Sequence, residues 1–256
     1  MNGPPASTIA AVAPLGHIMR FLTAIPVYNE DKHLEAILDE VLRFADDVLV
    51  VDDGSTDRTP DLLRAFPTVQ VIRHPANRGY GAGLRSAFGR TVEAGYDGLV
   101  TLDCDGQHEP KRIPEIAARL FDADIVSGSR YLQVFDPDQI PPIERRRINV
   151  EVTRWLNECL GLSVTDAFCG FKAYRRAAVE AFDITEDGYA MPLQVWAQAV
   201  SRGLSIIEVP VPLIYLDESR AFGGSLDDAT YRLNHYRLVF REALERLGVA
   251  VAGGCC

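Results

Sequence analysis

The sequence predicts an α/β fold: a single domain on a mostly parallel sheet flanked by helices. Short runs rich in Val, Ile and Leu alternate with segments of helical period through the first half, the pattern of successive β-α-β units. Several of these runs end in acidic residues, at the strand ends where open parallel sheets present ligand-binding groups. The 256 residues, 47% hydrophobic and 24% charged, suffice for a substantial core.

In chain order, residues 22–27 read as a strand, 32–44 as a helix, 48–52 as a strand, 57–65 as a helix and 69–73 as a strand. Residues 81–94 form a helix opened by glycines, 98–103 a strand ending on acids, and 125–129 the next strand. A helix follows Pro141 and Pro142 and runs through Trp155, and residues 193–202 form another. The prolines of 205–215 predict an extended run at a sheet edge. A last amphipathic helix spans 227–247, with Tyr231, Leu238, Val239, Leu244 and Leu247 expected to pack on the core rather than dock on a membrane. The folded domain is expected over 20–248, between a disordered extension (1–19) and a flexible tail (249–256).

A formal net charge of -10 argues against a nucleic-acid binder, which needs clustered basic surface. No apolar run approaches the roughly 20 residues of a bilayer-spanning helix, and the first 17 residues lack the basic start of a signal peptide. The five cysteines, Cys104, Cys159, Cys169, Cys255 and Cys256, show neither C-x-x-C pairing nor zinc spacing, which fits a reducing compartment. The expected location is cytoplasmic, free or peripheral at the cytoplasmic face of a membrane.

The strongest chemical signal is 100–108, where an apolar run delivers Asp103 and Asp105 at i and i+2. In an extended segment such residues share a side, and paired carboxylates repel unless a cation neutralises them. Hard oxygen donors of this kind suit Mg²⁺ or Mn²⁺, although D-x-D alone also fits a solvated turn. A second acid pair, Asp52 and Asp53, ends the 48–52 strand before Gly54-Ser55-Thr56-Asp57. Ser55, Thr56 and Asp57 fit helix-capping roles, while a strand-end carboxylate can accept from a nucleobase or ribose. A third strand end carries Pro26, Tyr28, Asn29 and Glu30. Arg78-Gly79-Tyr80-Gly81-Ala82-Gly83 lacks dinucleotide-fold spacing and reads either as a tight turn or as backbone approaching a ligand.

These P-x-Y-N-E, D-D-G-S-T-D and D-x-D-x-Q-H segments, in this order, resemble the nucleotide-binding half of family-2 glycosyltransferases over residues 20–225. The resemblance implies a Rossmann-like fold of the GT-A type and an inverting hexosyl transfer from a nucleotide-sugar such as GDP-mannose or UDP-glucose. By that resemblance Pro26, Tyr28, Glu30, Val51 and Asp53 would line the nucleoside pocket, and Asp103, Asp105 and Gln107 would hold Mg²⁺ or Mn²⁺ on the donor diphosphate.

Gly128-Ser129-Arg130, Asp166 to Lys172 and Arg220 to Ser225 resemble segments of synthases that move a sugar onto a polyprenyl or dolichyl phosphate. An ionised phosphate acceptor attacks without a general base but requires cations. The resemblance implies Arg130, Arg145 and Arg220 for that task, with Arg146 and Arg147 aligning as well as Arg145. Asp166 would then orient the acceptor or an arginine, whereas a hydroxyl acceptor would make Asp166 its base. Acidic Asp227 and Asp228 stand where such synthases usually carry a basic residue, so a polyprenyl acceptor would require peripheral contact or a membrane partner. The rival readings are a nucleotidyltransferase or NAD-linked enzyme on a similar sheet, and a nucleotide-sugar-binding regulator without turnover.

Overall fold

The computed structural model describes residues 19–139, 141–214 and 224–249. Its centre is a seven-stranded sheet of β1 (Phe21–Val27), β2 (Asp47–Asp52), β3 (Gln70–Arg73), β4 (Gly98–Thr101), β5 (Ile125–Ser129), β6 (Lys172–Arg175) and β7 (Ile206–Pro210). The strand order is β3-β2-β1-β4-β6-β5-β7. Only β6 runs antiparallel to its neighbours β4 and β5. The helices are α1 (Leu34–Val41), α2 (Thr59–Leu63), α3 (Tyr80–Glu93), α4 (Ile113–Ala118), α5 (Ile143–Leu160), α6 (Arg176–Ala181), α7 (Met191–Ser201) and α8 (Ala229–Arg246).

Strand alternation explains the layering, because successive side chains leave a strand on opposite faces. Ile25, Val27, Val48 and Val50 join α1, α2 and α4 in one core. Leu22, Ala24, Leu49 and Val51 join α3, α6 and α7 on the other face. A third core binds α5, α7 and α8 around Trp196, Leu156 and Phe240. β7 is an edge strand, as its prolines predicted.

Three differences from the sequence reading follow from local chemistry. β4 stops at Thr101, so Asp103 and Asp105 sit on a loop and not on the strand expected through 103. Within that loop the Gln107 N–H donates to Asp105 Oδ1 at 3.0 Å, an Asx-type turn. β6 was not anticipated, because four residues that include Lys172 and Arg175 carry little strand signature. On α8, Val239 and Leu244 are buried as expected, but Tyr231 and Leu238 are 52% and 43% exposed. Residues 1–18 and 250–256, hence most of the expected extension and tail, lie outside the described residues.

Parallel pairing of β1 with β2 and β4 carries the C-terminal ends of all three strands to one edge of the sheet. The loops that follow them hold the three motifs.

Candidate active site

These loops wall a cleft of about 790 Å³. Pro26, Tyr28, Glu30, Asp53, Asp103, Asp105 and Gln107 all line it, as do Arg130 and Arg145. Val51 does not: its side chain is fully buried in the core beneath the sheet, which corrects the expectation that it lines the nucleoside pocket. Asp52 is equally buried, accepting from the Ser55 N–H at 2.9 Å and pairing with Arg73 at 3.2 Å. Alternation along the chain therefore leaves Asp53 as the acid of this motif at the cleft.

Asn29 shows how the first two motifs are tied together. It adopts a positive φ of 55°, which Asn tolerates better than most residues. Its Oδ1 accepts from the Thr56 N–H at 2.8 Å and the Asp57 N–H at 3.3 Å, while its own N–H donates to Ser55 Oγ at 2.9 Å.

Asp53 organises the glycine turn. Its Oδ2 accepts the Arg78 and Gly79 N–H groups at 3.0 and 2.7 Å. His74 Nδ1 meets Oδ1 at 2.5 Å, and its Nε2 lies 2.8 Å from Ser86 Oγ. Gly79 has φ 110° and approaches α7's leading loop so closely that a Cβ would lie 2.3 Å from the Asp187 carbonyl oxygen. Here glycine is required by both conformation and space.

Asp103 receives the Tyr80 hydroxyl on Oδ1 at 3.1 Å and lies 3.2 Å from His108 Nε2 through Oδ2. Burial raises its pKa, but the His108 hydrogen bond and charge, with Tyr80 and Arg130, bring it below the ordinary carboxylate value. Burial and the Asp103 charge push the Tyr80 phenol well up, so it stays a donor. A Cβ on Gly170 would fall 2.2 Å from Asp103 Oδ2, so the backbone of the Asp166 to Lys172 segment presses against this carboxylate. The donor set fits a small divalent cation. Asp103, Asp105 and Gln107 supply hard oxygens, and no cluster of three or more acidic, His or Cys ligands occurs among the described residues. A magnesium-like ion held by one or two carboxylates takes its remaining ligands from substrate phosphates and water.

Opposite stands a buried charge network. Asp166 is fully buried and receives Arg130 Nε and Nη2 at 2.6 and 2.9 Å, with Asn149 Nδ2 at 2.7 Å. Burial alone would raise the Asp166 pKa, but the Arg130 charge and fork hold it far below the usual carboxylate range. Glu208 fixes the turn from below, accepting from the Thr165 N–H at 2.8 Å and the Asp166 N–H at 3.1 Å. Lys172 Nζ is buried, donates to Ser127 Oγ and the Cys169 carbonyl, and has its pKa lowered by desolvation. The base role expected of Asp166 for a hydroxyl acceptor does not fit this placement, because both oxygens are engaged and none of it lines the cleft. Its geometry is that of a group that aims Arg130.

On α5, Arg145 turns into the cleft, while Arg146 and Arg147 are exposed on the outer side. Arg220 lies outside the described residues. Sequence reasoning missed His74, Tyr80, His108, Asn149 and Arg232, the last a buried cation on α8 that lines the cleft. His74 directly follows β3, and the others lie on helices or loops away from the strand ends. Only the position of His108 beside D-x-D-x-Q offered a signal.

Fold and cleft thus define an α/β enzyme whose cleft, at the C-terminal edge of a sheet, holds both a carboxylate pair and guanidinium groups. Residues 23–182 match the model of glycosyl transferase family 2, and the chain belongs to that family: it is a glycosyltransferase. It is 34% identical over 252 residues to an undecaprenyl-phosphate mannosyltransferase of Micrococcus luteus, covering 90% of this chain and 100% of that one. A polyprenol monophosphomannose synthase of Mycolicibacterium smegmatis is 31% identical over 84% of this chain and 85% of its own. Among solved structures, glucosyl-3-phosphoglycerate synthase of Mycobacterium tuberculosis, crystallised with Mn²⁺ and UDP-glucose, superposes with a TM-score of 0.69 at 21% identity. That superposition covers 98% of this chain and 87% of the other, and establishes the GT-A fold.

Proposed function

We propose that this enzyme transfers a hexose from a nucleotide-sugar, of the GDP-mannose or UDP-glucose type, to a polyprenyl phosphate, with inversion at the anomeric carbon. The observation that carries the reading is that one cleft is lined both by the Asp103 and Asp105 carboxylates and by Arg130, Arg145 and Arg232. Carboxylates suit a cation-bound diphosphate, and guanidinium groups suit an incoming phosphate monoester. The activities of the two bacterial relatives, an undecaprenyl-phosphate mannosyltransferase and a polyprenol monophosphomannose synthase, support the same acceptor class.

In this reading Pro26, Tyr28, Glu30 and Asp53 border the nucleoside, and the Gly79 turn held by Asp53 sets how closely the backbone approaches it. Asp103, Asp105 and Gln107 would hold Mg²⁺ or Mn²⁺, which neutralises charge on the nucleoside diphosphate leaving group. Arg130, aimed by Asp166, and Arg145 hold the acceptor phosphate, with Arg220 completing the set. One acceptor oxygen attacks the anomeric carbon as its bond to the diphosphate oxygen breaks. An ionised phosphate has no proton to surrender, so no general base is needed. That agrees with an Asp166 already committed to Arg130.

The test is nucleoside diphosphate release by the full chain with Mn²⁺ or Mg²⁺, each candidate donor, and a short-chain polyprenyl phosphate. Release that needs both metal and lipid phosphate is expected, with the product anomer inverted. Donor binding without lipid-dependent turnover overturns the acceptor assignment.

A further inference from the structure

The three most exposed large apolar side chains among the described residues are Ile143 at 79%, Val134 at 76% and Val150 at 57%. Ile143 and Val150 lie on α5, whose inner side brings Arg145 and Ile148 to the cleft, and Val134 follows the cleft residue Tyr131 by three positions.

The outer side of α5 is a continuous stripe. Ile143, Arg146, Arg147, Val150 and Arg154 recur at i, i+3, i+4, i+7 and i+11, which places them on one helical face, where they border a shallow hollow of about 550 Å³. Of the acids of α5, Glu151 pairs with Arg237 at 2.9 Å and Glu158 with Arg154 at 3.9 Å, while Glu144 is exposed at the helix start. Arg146 and Arg147 are exposed and pair with no carboxylate among the described residues. A chain with net charge -10 thus presents, on the outer side of a helix that lines its cleft, an apolar stripe flanked by the guanidinium groups of Arg146 and Arg147.

Exposed aliphatics interleaved with arginines are the composition that seats a helix face in the headgroup layer of an anionic bilayer, with apolar groups among acyl chains and cations on lipid phosphates. We propose that the outer face of α5 docks this enzyme on an anionic lipid surface. The proposal rests on the acceptor class given above and adds where that acceptor meets the protein. A helix whose inner side lines the cleft and whose outer side rests on the bilayer brings the cleft mouth to the phosphate of a lipid still held by its isoprenoid chain.

The test is co-flotation of the full-length protein with vesicles of phosphatidylcholine, alone or mixed with phosphatidylglycerol, at low and high salt. Binding to the mixed vesicles, weakened by salt, is expected. The pairs Ile143→Ser with Val150→Ser, and Arg146→Glu with Arg147→Glu, should each lower the partition coefficient about tenfold or more. Because all four side chains are exposed, thermal melts should match wild type. Each variant should also retain sugar transfer to a detergent-dispersed, short-chain polyprenyl phosphate, which separates docking from chemistry. Failure of wild type to bind the mixed vesicles overturns the proposal, and so does binding that the substitutions leave unchanged. Self-association of wild type that Ile143→Ser with Val150→Ser abolishes also overturns it, since the face would then join two copies of the chain. If vesicle binding holds while no lipid phosphate accepts sugar, the acceptor assignment falls and the docking face remains.

Discussion

Asp166 holds Arg130 in a two-point fork, with Nε and Nη2 at 2.6 and 2.9 Å, and Asp166 itself is wholly buried. Burying both charges is costly, and the fork, the Asn149 amide and backbone N–H groups offset that cost. What the arrangement secures is a guanidinium with a fixed direction at the cleft wall. Replacing Asp166 by Asn keeps the shape and removes the counter-charge, leaving Arg130 charged and unpaired. Urea denaturation of Asp166→Asn should show a loss of about 3–5 kcal/mol.

The same pair makes a pH prediction. The folded pKa of Asp166 is depressed, so the unfolded chain binds more protons at acid pH. The stability this group contributes is therefore fully present above its unfolded pKa of about 3.9, and is lost as pH falls toward the folded value. The stability gap between wild type and Asp166→Asn should stay level from about pH 5 to 8 and narrow below about pH 4. A gap that narrows instead between neutral pH and pH 5 would mean that Asp166 is not held ionised by Arg130.

Gly170 connects the Asp166 to Lys172 segment to the first acid of D-x-D, because a Cβ there would meet Asp103 Oδ2 at 2.2 Å. The carboxylate is the movable partner, so Gly170→Ala should displace it while leaving the buried sheet intact. Displacements near 1 Å in a catalytic group typically cost about a hundredfold in rate. Turnover should fall by about that factor, with a stability loss below about 2 kcal/mol in the same denaturation assay. Equal losses in rate and in folding would show the glycine to be structural only.

Asp105 lies partly exposed in the cleft, and the one hydrogen bond recorded for its side chain is local, from the Gln107 N–H. Asp105→Ala should leave the melting temperature within a few degrees of wild type, since only this local turn is loosened. Metal-dependent binding of the nucleotide-sugar, followed by titration with and without Mn²⁺, should disappear. Wild-type turnover that persists in EDTA would remove the metal from the assignment altogether.

The fold and one wall of the cleft were legible because they rest on local signals. Apolar runs ending in acids mark parallel strands and their ligand-binding edge, and Pro26, Glu30, Asp53, Asp103 and Asp105 follow directly. What stayed hidden depends on contacts distant in sequence. His74 gains its role from Asp53, 21 residues earlier, and Asn149 from Asp166, 17 residues later. β6 was missed because Lys172 looks like a surface residue, and only the Ser127 hydroxyl and Cys169 carbonyl around its Nζ explain its burial. Val51 was misplaced because the motif was read as one unit: Val51 is still inside β2, enclosed with Leu22, Ala24 and Leu49, whereas Asp53 lies just past the strand end, where the loop opens on the cleft.

The run Arg145-Arg146-Arg147 offered three equivalent cations to the sequence, and helical geometry separates them. Successive residues on a helix turn by about 100°, so a cleft on one side can take only one of the three. Arg145 takes that place, and Arg146 and Arg147 face outward beside Ile143 and Val150. With a detergent-dispersed acceptor, Arg145→Ala should reduce kcat/KM by about tenfold to a hundredfold, the loss of one charge-assisted contact to phosphate. Arg146→Ala and Arg147→Ala should stay within about twofold of wild type, because neither touches the cleft. If the reduction at Arg145 appears mainly as a raised KM for the lipid phosphate, the residue binds the acceptor. If it appears in kcat with KM unchanged, Arg145 acts on the charge that develops during transfer. Equal effects at all three positions would show that the run works as a diffuse basic surface, and the assignment of Arg145 to the cleft would fail.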